Sequence, residues 1–97
     1  MISTGNELRY PPTVMYACTI LCYPELSNYT EQLIKRYLAT RRIDILDMWR
    51  EQQDEDLYTS LVVWIECTVA ARTAVTRLSD CLRQERGIRH VRLRSMS

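Results

Sequence analysis

The chain has 97 residues, 46% hydrophobic and 26% charged, with 13 Lys+Arg against 12 Asp+Glu. That length holds one domain with a modest core and excludes multi-domain enzyme architectures. Two glycines, three prolines and no low-complexity tract exclude collagen-like and disordered chains.

Residues 1–13 carry Ser3, Thr4, Gly5, Asn6 and the pair Pro11-Pro12, and read as a leader or linker ahead of a domain over 14–95. From Val14 to Tyr23 every position is apolar, aromatic, Cys or Thr, so this segment is expected to be a strand buried on both faces and stopped by Pro24. Leu26 to Ala39 changes period. Leu26, Tyr29, Leu33, Tyr37 and Leu38 form one side of a helix, opposite Glu31, Gln32, Lys35 and Arg36. Asn28, or else Ser27, is expected to cap it, with Glu31 completing a capping-box-like start.

Ile43 to Arg50 reads as a second, more exposed strand, and Glu51 to Asp56 as an acidic turn. Leu57 to Thr68 alternates: Leu57, Thr59, Leu61, Val63, Ile65 and Cys67 face one way, Tyr58, Ser60, Val62, Trp64 and Glu66 the other. Its apolar run Leu61 to Ile65 is the longest in the chain and far short of the roughly 20 residues that span a bilayer. Residues 1–10 lack a basic stretch leading into an apolar core. The chain therefore reads as cytoplasmic, with no direct membrane insertion. After Thr68, Ala71, Ala74, Val75, Leu78, Cys81 and Leu82 recur at helical spacing, with Gly87 just past the last turn. Ile88 to Arg94 reads as a closing strand, with Arg89, Val91 and Leu93 opposite Ile88, His90, Arg92 and Arg94.

The order strand, helix, strand, strand, helix, strand predicts an α+β, ferredoxin-like βαββαβ fold: a four-stranded antiparallel sheet with two helices on one face. The other face is then uncovered and still carries apolar residues. Tyr16, Trp49, Tyr58 and Trp64 are expected to contribute to it as an interface, most simply in a homodimer.

Cys18, Cys22, Cys67 and Cys81 form no CxxC and fall within apolar patterns, which predicts reduced, buried thiols. On a strand Cys18 and Cys22 lie about 13 Å apart, too far for one metal ion or a disulfide. Cys67, on a neighbouring strand, could approach either. His90, beside Arg89 and Arg92, has no nucleophile or carboxylate pair assigned around it and reads as a sheet-surface residue. Catalytic residues, metal ligands and cofactors are therefore expected to be none.

Arg86, Arg89, Arg92 and Arg94 make a basic surface near the end of the chain, while Asp44, Asp47, Glu51, Asp54, Glu55 and Asp56 give the central hairpin the opposite sign. Such polarity suits self-association. Nucleic acid is the alternative partner for the arginines, although the third strand lacks an RNP-type Arg/Lys-Gly-aromatic segment.

The stretch from Val14 to Ser95 resembles an ACT-type regulatory domain, with Gly87 followed by Ile88, Val91 and Leu93 as its closing pattern. Within that group it is similar to the cytoplasmic C-terminal domain of the MgtC/SapB family of membrane proteins. The similarity rests on Tyr16-Ala17-Cys18-Thr19-Ile20-Leu21-Cys22, the acidic Gln52 to Asp56 turn, Val62-Val63-Trp64-Ile65-Glu66-Cys67 and Gly87-Ile88-Arg89-His90-Val91. The resemblance implies a non-enzymatic regulatory or assembly role, linked to magnesium homeostasis, for a domain attached to or acting beside a membrane module. The loop Tyr23-Pro24-Glu25 lacks the pattern of ligand-binding ACT domains, so amino-acid binding is not expected.

Overall fold

A computed structural model describes residues 12–52 and 57–96. The strands are β1 (Thr13–Cys22), β2 (Asp44–Gln52), β3 (Thr59–Thr68) and β4 (Ile88–Ser95); the helices are α1 (Ser27–Thr40) and α2 (Arg72–Arg83). Short 3-10 turns at Pro24–Leu26 and Val69–Ala71 lead into the two helices. The sheet order is β2-β3-β1-β4 with every neighbouring pair antiparallel, the expected ferredoxin-like arrangement. The leader reading falls mainly on residues 1–11, outside the described residues. Of its last two positions, Pro12 accepts a hydrogen bond from the Val69 amide and Thr13 already belongs to β1.

The core lies between the sheet and the helices. Cys18, Ile20 and Cys22 of β1, Leu61, Val63, Ile65 and Cys67 of β3 and Val91 of β4 meet Ile34 and Leu38 of α1 and Val75, Leu78 and Leu82 of α2. These are the alternate positions of each central strand, as a sheet covered on one face requires.

Several local expectations are corrected. The inward stripe of α1 is Ser27, Thr30, Ile34 and Leu38; of the expected row Leu38 lies in it, Leu33 and Tyr37 flank the core, and Tyr29 is exposed. Thr30 tolerates burial because its hydroxyl donates to the Leu26 carbonyl at 2.9 Å. Neither Asn28 nor Ser27 caps α1, because the 3-10 turn runs straight into it; Ser27 Oγ donates to the Pro24 carbonyl, and Asn28 Oδ1 accepts from Arg50. The C-terminus of α1 is a Schellman motif, with Arg42 at φ 58°, its amide bonded to Ala39 and that of Ile43 to Leu38.

In α2 the inward row is Val75, Leu78, Ser79 and Leu82, so Cys81 is exposed while the other three thiols are buried. Cys67 pairs with Val14, four rows from Cys18, and approaches neither Cys18 nor Cys22. Tyr23 and Leu57 lie just outside β1 and β3, both exposed.

Two bulges reset the alternation of the edge strands. Register shifts between Ile45 and Asp47, leaving Leu46 exposed, so that Ile45 and Met48 both pack on the core. On β4, Cys22 pairs with Ile88 and Leu21 with His90, so Arg89 is the extra residue. Ile88 therefore joins Val91 and Leu93 on the core side instead of lying opposite them.

Candidate functional site: the open face of the sheet

The remaining strand positions form the face turned away from the helices. Their register sets them in rows across all four strands. One row is Asp47, Trp64, Ala17 and Arg94; the next is Trp49, Val62, Thr19 and Arg92; the third is Glu51, Ser60, Leu21 and His90. Carboxylates thus line the β2 edge, small and apolar residues the centre, and arginines with the lone histidine the β4 edge. Val62 is buried, while Ala17, Thr19, Leu21, Trp49 and Trp64 are each half-buried.

The indoles of Trp49 and Trp64 lean together, ring centroids 6.0 Å apart and planes at 54°, and Trp49 Nε1 donates to Glu51 Oε2 at 3.2 Å. A tilted pair of this kind holds two large apolar surfaces in one orientation. Beside the indoles, Ala17, Thr19, Arg92 and Arg94 line a hollow of about 80 Å³ on the same face. The face therefore carries a knob near β2 and β3 and a depression near β1 and β4.

The four residues expected at the interface do not converge. Trp49 and Trp64 meet on the open face. Tyr16 pairs with Ile65 and packs on the core side, because odd and even positions of β1 point opposite ways and Tyr16 shares parity with Cys18 and Ile20. Tyr58, ahead of β3, stacks on Tyr23 with centroids 5.1 Å apart, at the end of the sheet near Gly87 and Arg89. The basic set divides likewise. Arg92 and Arg94 belong to the open face, Arg89 sits at the bulge, and Arg86 is exposed in the loop before β4. Asp54, Glu55 and Asp56 of the acidic turn lie outside the described residues.

Missed from the sequence was a cavity of about 390 Å³ along α1, lined by Tyr29, Leu33, Arg36, Tyr37 and Arg41 among others. Arg41 stacks 3.6 Å over the Tyr37 ring there, and Tyr37 Oη donates to the Ala74 carbonyl of α2 at 3.0 Å. The signal was present in the 29, 33, 37 row, which does not turn fully inward.

Burial pushes the Cys18 thiol up to about 11 against the opposing pull of Arg83, and raises Cys22 and Cys67 as well. Among the described residues, no group of three or more His, Cys, Asp and Glu could hold a metal ion, and no helix is long and apolar enough to cross a membrane.

No family model and no curated protein matches the sequence. Solved structures do match the fold. The C-terminal domain of the MgtC protein from Mycobacterium tuberculosis aligns with a TM-score of 0.77 at 16% identity, over 84% of this chain and 86% of that one. The ACT domain from GTP pyrophosphokinase of Chlorobium tepidum gives 0.65 at 15% identity, over 84% and 86%. Ribosomal protein S6 from Thermotoga maritima gives 0.62 at 12% identity, over 87% and 88%. The chain has a ferredoxin-like fold, and its structure resembles the C-terminal domain of MgtC and the ACT domain of GTP pyrophosphokinase.

Proposed function

We propose that the chain is a non-enzymatic regulatory domain that works by dimerisation or docking through the open face of its sheet. The observation that carries this reading is the apolar centre of that face, where Trp49, Val62 and Trp64 lie with no helix of the described residues over them. A half-buried pair of indoles framed by charge is the composition of an interface. A docking domain regulates by binding one state of its partner more tightly than another. Burial keeps the thiols of Cys18, Cys22 and Cys67 protonated, the wrong state for a nucleophile, which supports the non-enzymatic reading. The likeness to the MgtC and GTP pyrophosphokinase domains supports a regulatory role. In this reading the domain is cytoplasmic and serves as part of, or partner to, a membrane protein of magnesium homeostasis.

An amide NMR titration of the reduced protein tests it. Resonances of Trp49, Val62 and Trp64 are expected to move with protein concentration or with an added partner, and to ignore a short single-stranded RNA. Saturable, salt-sensitive shifts along Arg89 to Arg94 with that RNA would replace docking by nucleic-acid binding.

A further inference from the structure

We infer that the occupant of the open face is a second copy of this chain, packed sheet on sheet about a two-fold axis that runs parallel to the strands between β1 and β3. The inference rests on the docking reading above and names its partner and geometry.

Three two-fold axes follow the sheet's own directions, and the edge charges separate them. An axis normal to the sheet would pair an edge with its own copy. The β4 edge would then place Arg92 and Arg94 beside the same arginines, and the β2 edge Asp47 and Glu51 beside the same carboxylates. An axis in the plane but across the strands would lay β2 over β2 and β4 over β4, again like on like. Only the axis along the strands lays β2 over β4 and β3 over β1.

That axis keeps each residue at its own height along the strands, so the rows of the sheet become the contacts of the dimer. Asp47 meets Arg94 of the second copy, Trp49 meets Arg92, and Glu51 meets His90, each occurring twice by symmetry. Asp47 with Arg94 is a pair of opposite charges, Trp49 with Arg92 an indole against a cation, and Glu51 with His90 a carboxylate facing an imidazole that can donate a hydrogen bond. In the centre Trp64 meets Ala17 of the second copy, the largest residue of the face against the smallest, and Val62 meets Thr19. The hollow of about 80 Å³ between Ala17, Thr19, Arg92 and Arg94 therefore lies opposite the Trp49 and Trp64 rings of the other copy. Charge and shape select the same axis independently.

Four strands spaced about 4.8 Å apart, over three or four rows, give a face on the order of 500 Å² per copy. About 1,000 Å² in total is at the low end for a specific interface, the range of transient complexes, so the dimer is expected to dissociate on dilution.

Two variants and a cross-link test the geometry. Asp47→Arg with Glu51→Arg makes both edges basic; Arg92→Glu with Arg94→Glu makes both acidic. Each alone is expected to sediment as a monomer, and an equimolar mixture to restore a one-to-one dimer. In a Cys81→Ser background, a short bismaleimide that spans the roughly 10 Å between stacked sheets is expected to join a mixture of Asp47→Cys and Arg94→Cys proteins as the mixed dimer in several-fold excess over either homodimer. Circular dichroism confirms that each variant is folded. A cross-link of Asp47→Cys to itself as the main product would overturn this axis, as would mixed variants that stay monomeric. A wild-type protein monomeric at every concentration would overturn the second copy as occupant, while the docking reading is decided separately by the RNA titration.

Discussion

Gly87 closes the turn between α2 and β4 at φ +88°, a conformation that an L side chain adopts only with strain, and a Cβ there would collide with Leu26 Cδ1. Its carbonyl accepts a hydrogen bond from the Tyr23 amide at 3.2 Å, so one residue ties the start of β4 to the end of β1. Gly87→Ala is expected to lower stability by about 1–2 kcal/mol in urea unfolding, chiefly from backbone strain, because Leu26 Cδ1 can turn aside. Ser79 carries the opposite kind of defect. Its hydroxyl is buried in α2 and has no hydrogen-bond partner among the described residues. Removing a polar group that has lost water without gaining a partner relieves its desolvation penalty, so Ser79→Ala is expected to raise stability by about 1 kcal/mol in the same assay.

At the scale of elements, α1 and β2 are strapped together by Arg50, which donates to Asn28 Oδ1 at 2.6 Å and to Glu31 Oε2 at 2.8 Å; Lys35 approaches Glu31 from the next turn at 3.1 Å. The hydrogen bond from Arg50, and then that from Lys35, holds the Glu31 carboxyl below its ordinary value of 4.5. A carboxylate depressed in the folded state adds stability that is complete above the unfolded value and lost as pH falls through the lower folded one. Thermal unfolding is therefore expected to show stability falling below about pH 4.5, with a shallower fall in Glu31→Gln. The order of elements was legible from period alone, because β1 is a near-continuous apolar run, β3 alternates around Leu61 to Ile65, and Gly87 marks the end of the second helical segment. The faces of the edge strands were not. A bulge adds one residue without altering composition, so the extra residues at Leu46 and Arg89 reverse the alternation with no sequence mark. The stripe of α1 was partly misplaced for a related reason: Thr30 looks polar but satisfies itself on Leu26, while Tyr29 looks apolar but stands in solvent.

At the scale of the whole molecule, the four-stranded order converts a weak sequence polarity into a strong spatial one. A chain with net charge +1 places carboxylates along one edge of its open face and arginines along the other, about 14 Å apart at the usual strand spacing. Trp64 follows the alternation of β3 to that face, whereas Trp49, beyond the bulge of β2, and Tyr16 could not be placed until the register was known. The hollow beside them needed the register of β1 against β4, which places Ala17, Thr19, Arg92 and Arg94 side by side. Because the flanking charges are exposed, their attraction is screened over a Debye length of about 10 Å at 0.1 M salt, and association through this face weakens with added salt.

Sedimentation equilibrium of the wild-type protein beside Trp64→Lys, over a concentration series at low and high salt, tests self-association through the open face. A wild-type dimer that dissociates more readily at high salt, with a folded and monomeric Trp64→Lys, is the predicted result. A wild-type monomer at every concentration, or a dimer untouched by both salt and Trp64→Lys, would contradict self-association through the open face.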